Sequence, residues 1–278
     1  DITYGYSNDL NDLQNAFAEA EQVAQQHHLK HLYISNYNTY YFMSNVTYLA
    51  EHAPIATTVF TAGCLVLPDP AAGPALFMEG PYDGFTDTLL SHFASATLVG
   101  EPKRIGGDPF KLYIVDTHPA KSTVQVSFPQ DLQLLNTQPL NFQNAPWAVT
   151  HWNVLRSAPA QYQTLYDYTM TNPAWGDISG NPYQAGQCFF TSMQAGDQLL
   201  VGFPLNSGGH TLTSLDIQVQ SRTLAPRVFT LSLLKRLGIP ISFEGLPTIM
   251  EFPPSPTVPI TILHTSDGKD HVIISVPR

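Results

Sequence analysis

The sequence predicts two differently built domains, an α/β domain over residues 1–118 and an all-β domain over residues 119–278. Three observations predict it. Helix-period and strand-like segments take turns as far as Thr117, the pattern of strands joined by crossovers. Beyond Thr117 the chain reads as short apolar runs broken by Gly and Pro, the signature of a sandwich or jelly roll. The length, 278 residues, is that of two ordinary domains. The first is expected as a small three-layer unit on a mainly parallel sheet, and the second as a jelly-roll-like β-sandwich.

The clearest helix covers residues 9–28. Leu10, Leu13, Phe17, Ala20, Val23 and Ala24 fall on one face, the stripe that a core-facing helix requires. Ser7 or Asn8 serves as its cap, and Asp9 and Asp12 suit the positive end of its dipole. A strand follows over 31–35, then a helix over 39–51. Further strands are predicted at 56–60, 64–67, 75–79, 96–99 and 110–115, with a helix over 83–93. The run from Pro68 to Pro74 is a turn, rich in Pro and Gly.

In the second half, strands are predicted at 123–128, 148–155, 187–193, 198–203, 215–220, 229–234, 241–244, 260–264 and 271–276. Residues 162–170 are read as a strand rather than a short helix. Ala195-Gly196-Asp197 and Ser266-Asp267-Gly268 have the composition of hairpin turns.

Composition narrows the function. Twenty-two acids against 12 bases give a net charge of −10. The basic pairs Lys235-Arg236 and Lys103-Arg104 form no stripe, which disfavours nucleic acid and anionic membrane surfaces. No apolar run reaches the roughly 20 residues of a membrane span, so direct membrane insertion is not expected. The chain starts at Asp1, which leads us to expect a processed form or an excised piece, with the anchor in the missing upstream part. Asn45-Val46-Thr47 fits a glycosylation sequon. Cys64 and Cys188 are read as two buried thiols. A disulfide between the halves is the alternative, and their spacing does not argue for it.

Ligands of open α/β sheets sit beyond the carboxyl ends of strands. Those ends carry Asn36, Asn38, Glu79 and Asp83, candidates for binding a polar ligand or, alternatively, for capping helices and making turns. A second candidate surrounds Trp175. Its loop adds Asp177, Asn181 and Tyr183, an aromatic platform with polar neighbours of the kind that takes a sugar. Packing is the competing role for Trp147, Trp152 and Trp175.

No catalytic residue, cofactor or metal is assigned. The chain lacks a G-x-S-x-G elbow, and Gly176-Asp177-Ile178-Ser179 is only a faint substitute. Two His and two Asp lie between His264 and His271, but a turn explains them better than a cation does. Arg104 to Asp108 is read as a turn, not a phosphate loop. His27, His28, Lys30 and His31 close the first helix in a structural role.

The segments Cys64–Pro68, Gly80–Asp83, Phe93–Val99 and Gly106–Val115 carry a resemblance. They resemble the soluble tail that follows the membrane region of bacterial multi-spanning glycosyltransferases of the protein-mannosyltransferase class. The resemblance covers roughly the first 115 residues. It implies a non-catalytic extracytoplasmic accessory module, tethered in cis to a parent membrane domain, with a glycan as candidate partner. That family's catalytic acids lie in loops that this chain lacks, so none carries over. Two alternatives stay open: a glycoside hydrolase or carbohydrate esterase with a site between the domains, and a structural or protein-interaction domain without a small ligand.

Overall fold

The computed structural model describes residues 6–36, 46, 49–50, 52–61, 64–80, 84–105, 107–119, 123–158, 165–171, 186–207, 210–211, 213–224 and 261–276. Strands dominate, arranged in several sheets. In chain order the first part runs α1 (Tyr6–Gln26), β1 (His31–Asn36), β2 (Ala56–Thr61), β3 (Cys64–Leu67), β4 (Ala75–Glu79), α2 (Gly84–Phe93), β5 (Ala94–Gly100) and β6 (Lys111–Thr117). The second part runs β7 (Val126–Phe128), β8 (Leu132–Phe142), β9 (Ala145–Val154), β10 (Leu165–Thr171), β11 (Gly186–Phe190) and β12 (Gln198–Pro204). It ends with β13 (Asn206–Ser207), β14 (His210–Thr211), β15 (Ser214–Leu224), β16 (Thr261–Ile262) and β17 (Val272–Ser275).

The predicted stripe makes α1. Leu13, Ala16, Phe17, Ala20, Val23 and Ala24 are buried against Leu32, Ile34, Val59, Leu76, Met78 and Leu112. Each fully buried Leu or Phe among them contributes roughly 1.5–3 kcal/mol. Asp12 lies within the helix rather than at its first turn. It is buried and accepts the Ile105 N–H at 2.9 Å. The helix ends where His28 takes a left-handed φ of 57° and Leu29 N–H reaches back to the Ala24 carbonyl at 2.9 Å.

A ten-stranded sheet has the order β16-β15-β10-β11-β2-β1-β4-β6-β5, with β17 also on β15. A second sheet of five strands has the order β3-β12-β9-β8-β7. Strand alternation sorts the large sheet's side chains. Leu32, Ile34, Leu76 and Met78 face α1. Tyr33, Phe60, Phe77 and Val115 face the other way, into a core shared with Leu65, Val66, Trp152, Leu199 and Leu200 of the second sheet.

Three expectations are corrected. The first-half sheet is not mainly parallel: β1 runs parallel to β2 and β4, whereas β4–β6 and β5–β6 are antiparallel. A parallel return from β5 needs a crossover, and residues 101–105 and 107–110 hold no helix. Residue 118 is also not a seam. From the first half, β3 pairs with β12, and β2 pairs with β11 of the second half. The cause is visible in β3, all four of whose residues are buried. Such a strand needs apolar cover on both faces; β3 takes its place at the edge of the second sheet by pairing with β12 and packs with Phe60, Phe77, Phe85 and Leu89. Finally, Cys64 and Cys188 are not thiols. They form a disulfide from β3 to β11, with Cα atoms 5.4 Å apart, because the two strands meet in the core between the sheets.

The turns differ from expectation in role. Residues 195–197 do not close a hairpin; they carry the chain from β11 in one sheet to β12 in the other. Gly196 there has φ 95°, and a Cβ on it would clash with the Asp69 carboxylate. Residues 266–268 do turn, with Gly268 at φ 80°, yet β16 and β17 both run along β15, so the turn caps an excursion. Strand β8 was not anticipated. Asn136 and Pro139 interrupt its apolar run, and its register against β9 shifts between Leu134 and Asn136. The strands expected at 229–234 and 241–244 lie outside the described residues. So does most of the helix expected over 39–51, of which Val46, Leu49 and Ala50 are helical.

Candidate site at the ends of β1 and β4

The two parallel neighbours β1 and β4 send the chain to opposite faces of the sheet. After β1 it reaches Val46 and Ala50, which pack with α1. After β4 it reaches α2, whose Phe85, Leu89 and Leu90 pack in the core on the far side. In open α/β sheets ligands usually sit outside the carboxyl ends of strands whose connections diverge in this way. Ser35 and Glu79 are paired there in register, and Gly80 N–H bonds the Ser35 carbonyl at 3.2 Å. One row of side chains on the same sheet face therefore reads Ser35 on β1, Glu79 on β4 and Lys111 on β6.

Asp87 reaches this row from the first turns of α2. Lys111 Nζ donates to Asp87 at 2.6 Å and to Glu79 at 3.3 Å, and Tyr113 OH donates to Asp87 at 3.2 Å. Glu79 and Asp87 are close enough for each to shift the other's ionisation. Glu79 is 2% exposed, whereas Lys111 and Asp87 are 36% and 40% exposed. Burial, then the hydrogen bond and charge of Asp87, push Glu79 up to about 8, against the pull of Lys111. Burial also opposes ionisation of Asp87, but the bonds from Lys111, Glu79 and Tyr113 hold it below the ordinary carboxylate range. Burial works against the Lys111 charge as well; the two carboxylates outweigh it and raise its pKa. Burial and Asp87 raise Tyr113 to about 12. At neutral pH the row thus holds a protonated Glu79, an ionised Asp87 and a charged Lys111, with no net charge.

Ser35 completes it. The residue is 1% exposed, and its Oγ has no hydrogen-bond partner. A buried hydroxyl left unpaired costs about 1–3 kcal/mol.

Of the residues singled out in the sequence, Glu79 stands in this row, and the backbone of Asn36 ends β1 beside it, opposite Thr61. Asn38, Asp83, Trp175, Asp177, Asn181 and Tyr183 lie outside the described residues. Lys111, Asp87, Tyr113 and Ser35 were not anticipated. Their types are ordinary, and only the pairing of β6 with β4 and the docking of α2 bring them to Glu79. Trp152 is fully buried and donates to Thr150 Oγ1 at 2.8 Å. Trp147 is half-buried, packed on Phe85 and Phe142. Both serve packing.

A second polar node ties the sheets together. Tyr33 OH donates to Asp197 at 2.8 Å, and so does Gln194 N–H. Burial raises Asp197 to about 6 against these bonds, and burial and Asp197 raise Tyr33. His31, bonded to Thr58 Oγ1 at 2.8 Å, is lowered to about 4 by burial. At the surface His264 pairs with Asp270 and Lys269 with Asp267. Among the described residues no three His, Cys, Asp or Glu side chains converge, and no helix is long and apolar enough to cross a membrane. No known protein family, curated protein or solved structure matches this chain.

Proposed function

We propose that the chain is a non-catalytic, extracytoplasmic accessory module of a membrane glycosyltransferase-like protein, and that it binds carbohydrate. The finer fold reading that goes with it is an α/β layer carrying the ligand, backed by a β-sandwich. The observation that carries the non-catalytic part is the arrangement of Glu79 and Asp87. Glycoside hydrolysis uses two carboxyl groups facing each other across a sugar, with room between them. Here one ammonium, Lys111 Nζ, is bonded to both, so a cation stands where the sugar would have to lie. Ser35 Oγ has no hydrogen-bonded base among the described residues, so an activated serine is not built there. The extracytoplasmic part is supported by the Cys64–Cys188 disulfide, since such bonds persist in oxidising compartments. A low share of charged residues, 12%, suits a surface that meets neutral glycans.

The test is a glycan array probed with the disulfide-intact chain, run beside a hydrolysis assay on aryl glycosides and aryl acetates. Retention of one glycan class without turnover is the expected outcome. Turnover of either substrate set would move the chain to the hydrolase or esterase alternative. Silence in both would favour a structural or protein-interaction domain.

A further inference from the structure

We propose that β5 is a docking edge along which two copies of this chain pair, antiparallel and about a two-fold axis at Ala96. The proposal stands apart from the carbohydrate-binding reading. Strand β5 closes one end of the large sheet and, among the described residues, pairs on one side only, with β6. Its other side presents a row of backbone N–H and C=O groups to a partner. The other described strands at sheet ends are short: β3, β7, β16 and β17 have four, three, two and four residues. β3 is also buried throughout. By contrast β5 has seven residues, and Ser95, Ala96, Thr97 and Leu98 are exposed in succession, so both of its faces are open. Edge strands are usually guarded by charge or proline, yet residues 94–100 contain neither. The register with β6 shifts only beyond Leu98, which leaves Ala94–Leu98 regular.

The strand's own pattern selects a second copy as the occupant. Ala96 is the centre of the regular stretch. An antiparallel copy centred there sets Ala96 opposite Ala96, Ser95 opposite Thr97 and Ala94 opposite Leu98. Alternation puts Ala94, Ala96 and Leu98 on one face of β5, and Ser95 and Thr97 on the other. Residues directly opposite in an antiparallel pair share a face. The pairing therefore matches apolar with apolar and hydroxyl with hydroxyl. Hydroxyl pairs of this kind stabilise a sheet, and Leu98, 48% exposed, gains cover. Charge agrees with this choice. Each chain carries −10, so two copies can meet only where like charges do not face each other, and this seam is uncharged. A charged partner strand would find no counter-charge on β5. One strand per copy is a small interface, of the class that forms weak, concentration-dependent complexes, with backbone hydrogen bonds supplying the affinity.

The experiment is sedimentation equilibrium of the disulfide-intact chain from about 1 to about 500 µM, a range that covers weak association. It is run on the wild type and Ala96→Lys, with cross-linking of Ala96→Cys and Val124→Cys beside it. Both positions are exposed, so in dilute solution each variant should melt with the wild type. The mean mass of the wild type should climb from the monomer's 30.6 kDa toward the dimer's as concentration rises. Ala96→Lys sets two ammonium groups opposite each other at the axis and should weaken the dimer roughly tenfold or more. Under mild oxidation Ala96→Cys should lock two copies together, since opposite residues lie within disulfide reach. Val124→Cys, 43% exposed but outside β5, should cross-link roughly tenfold more slowly, for want of a fixed partner. A wild type that stays monomeric over the whole range overturns the proposal. So does a dimer that Ala96→Lys leaves unchanged, or one that Ala96→Cys locks no faster than Val124→Cys does.

Discussion

Replacing both cysteines by alanine tests the strongest link between the two sheets. The disulfide closes a loop spanning a sequence separation of 124 residues. Loop-closure entropy for that length is about 16 cal/mol/K, or about 5 kcal/mol at room temperature. Unfolding entropy of about 2.1 cal/mol/K per residue, over a chain of 278 residues, converts this to a fall in Tm of about 8 °C. Two small voids add to the loss, because both sulfurs sit in the core at 0% exposure. The assay is calorimetry of the wild type and of Cys64→Ala/Cys188→Ala, with urea unfolding as a second measure. The same burial predicts that dithiothreitol leaves the bond intact in the folded protein below the transition. A double variant melting within 2 °C of the wild type would refute the reasoning. It would mean either that the bond does not form or that the unfolded chain is no freer without it.

Other outcomes follow from single contacts. Tyr33→Phe removes a donor from buried Asp197 and should cost about 1–3 kcal/mol in urea unfolding. Gly202→Ala would drive a Cβ into the Phe85 ring. The overpacking should cost about 1–3 kcal/mol and be partly rescued by Phe85→Leu. For Glu79 the folded pKa, about 8, lies above the ordinary value of 4.5. The folded protein therefore keeps a proton that the unfolded chain releases between those values. This contribution is fully present below about pH 4.5 and is lost as pH rises through about 8. Glu79→Gln, which is neutral at every pH, should flatten the decline in urea midpoint between pH 5 and 9.

Local structure was legible where one period dominated. The α1 stripe of Leu13, Phe17, Ala20 and Ala24 needs only the helical repeat, and β4 needs only a short apolar run between turns. The β8 strand was not legible, because Asn136 and Pro139 weaken its pattern and pairing with β9 and β7 stabilises it. The site was half legible. Glu79 could be placed at a strand end by rule, but its meaning depends on Lys111, 32 residues later, and on Asp87 from α2.

The sequence by itself determined the helices, most strands, the acidic balance and the polar ends of β1 and β4, since each follows from neighbours along the chain. The tertiary structure alone decided that β2 and β3 join strands from beyond residue 118, that Cys64 meets Cys188, and that Ser35 lies unpaired beside Glu79. Those facts are set by long-range strand pairing. Its driving force is the burial of both faces of each apolar strand, and no local pattern states which partner will cover them.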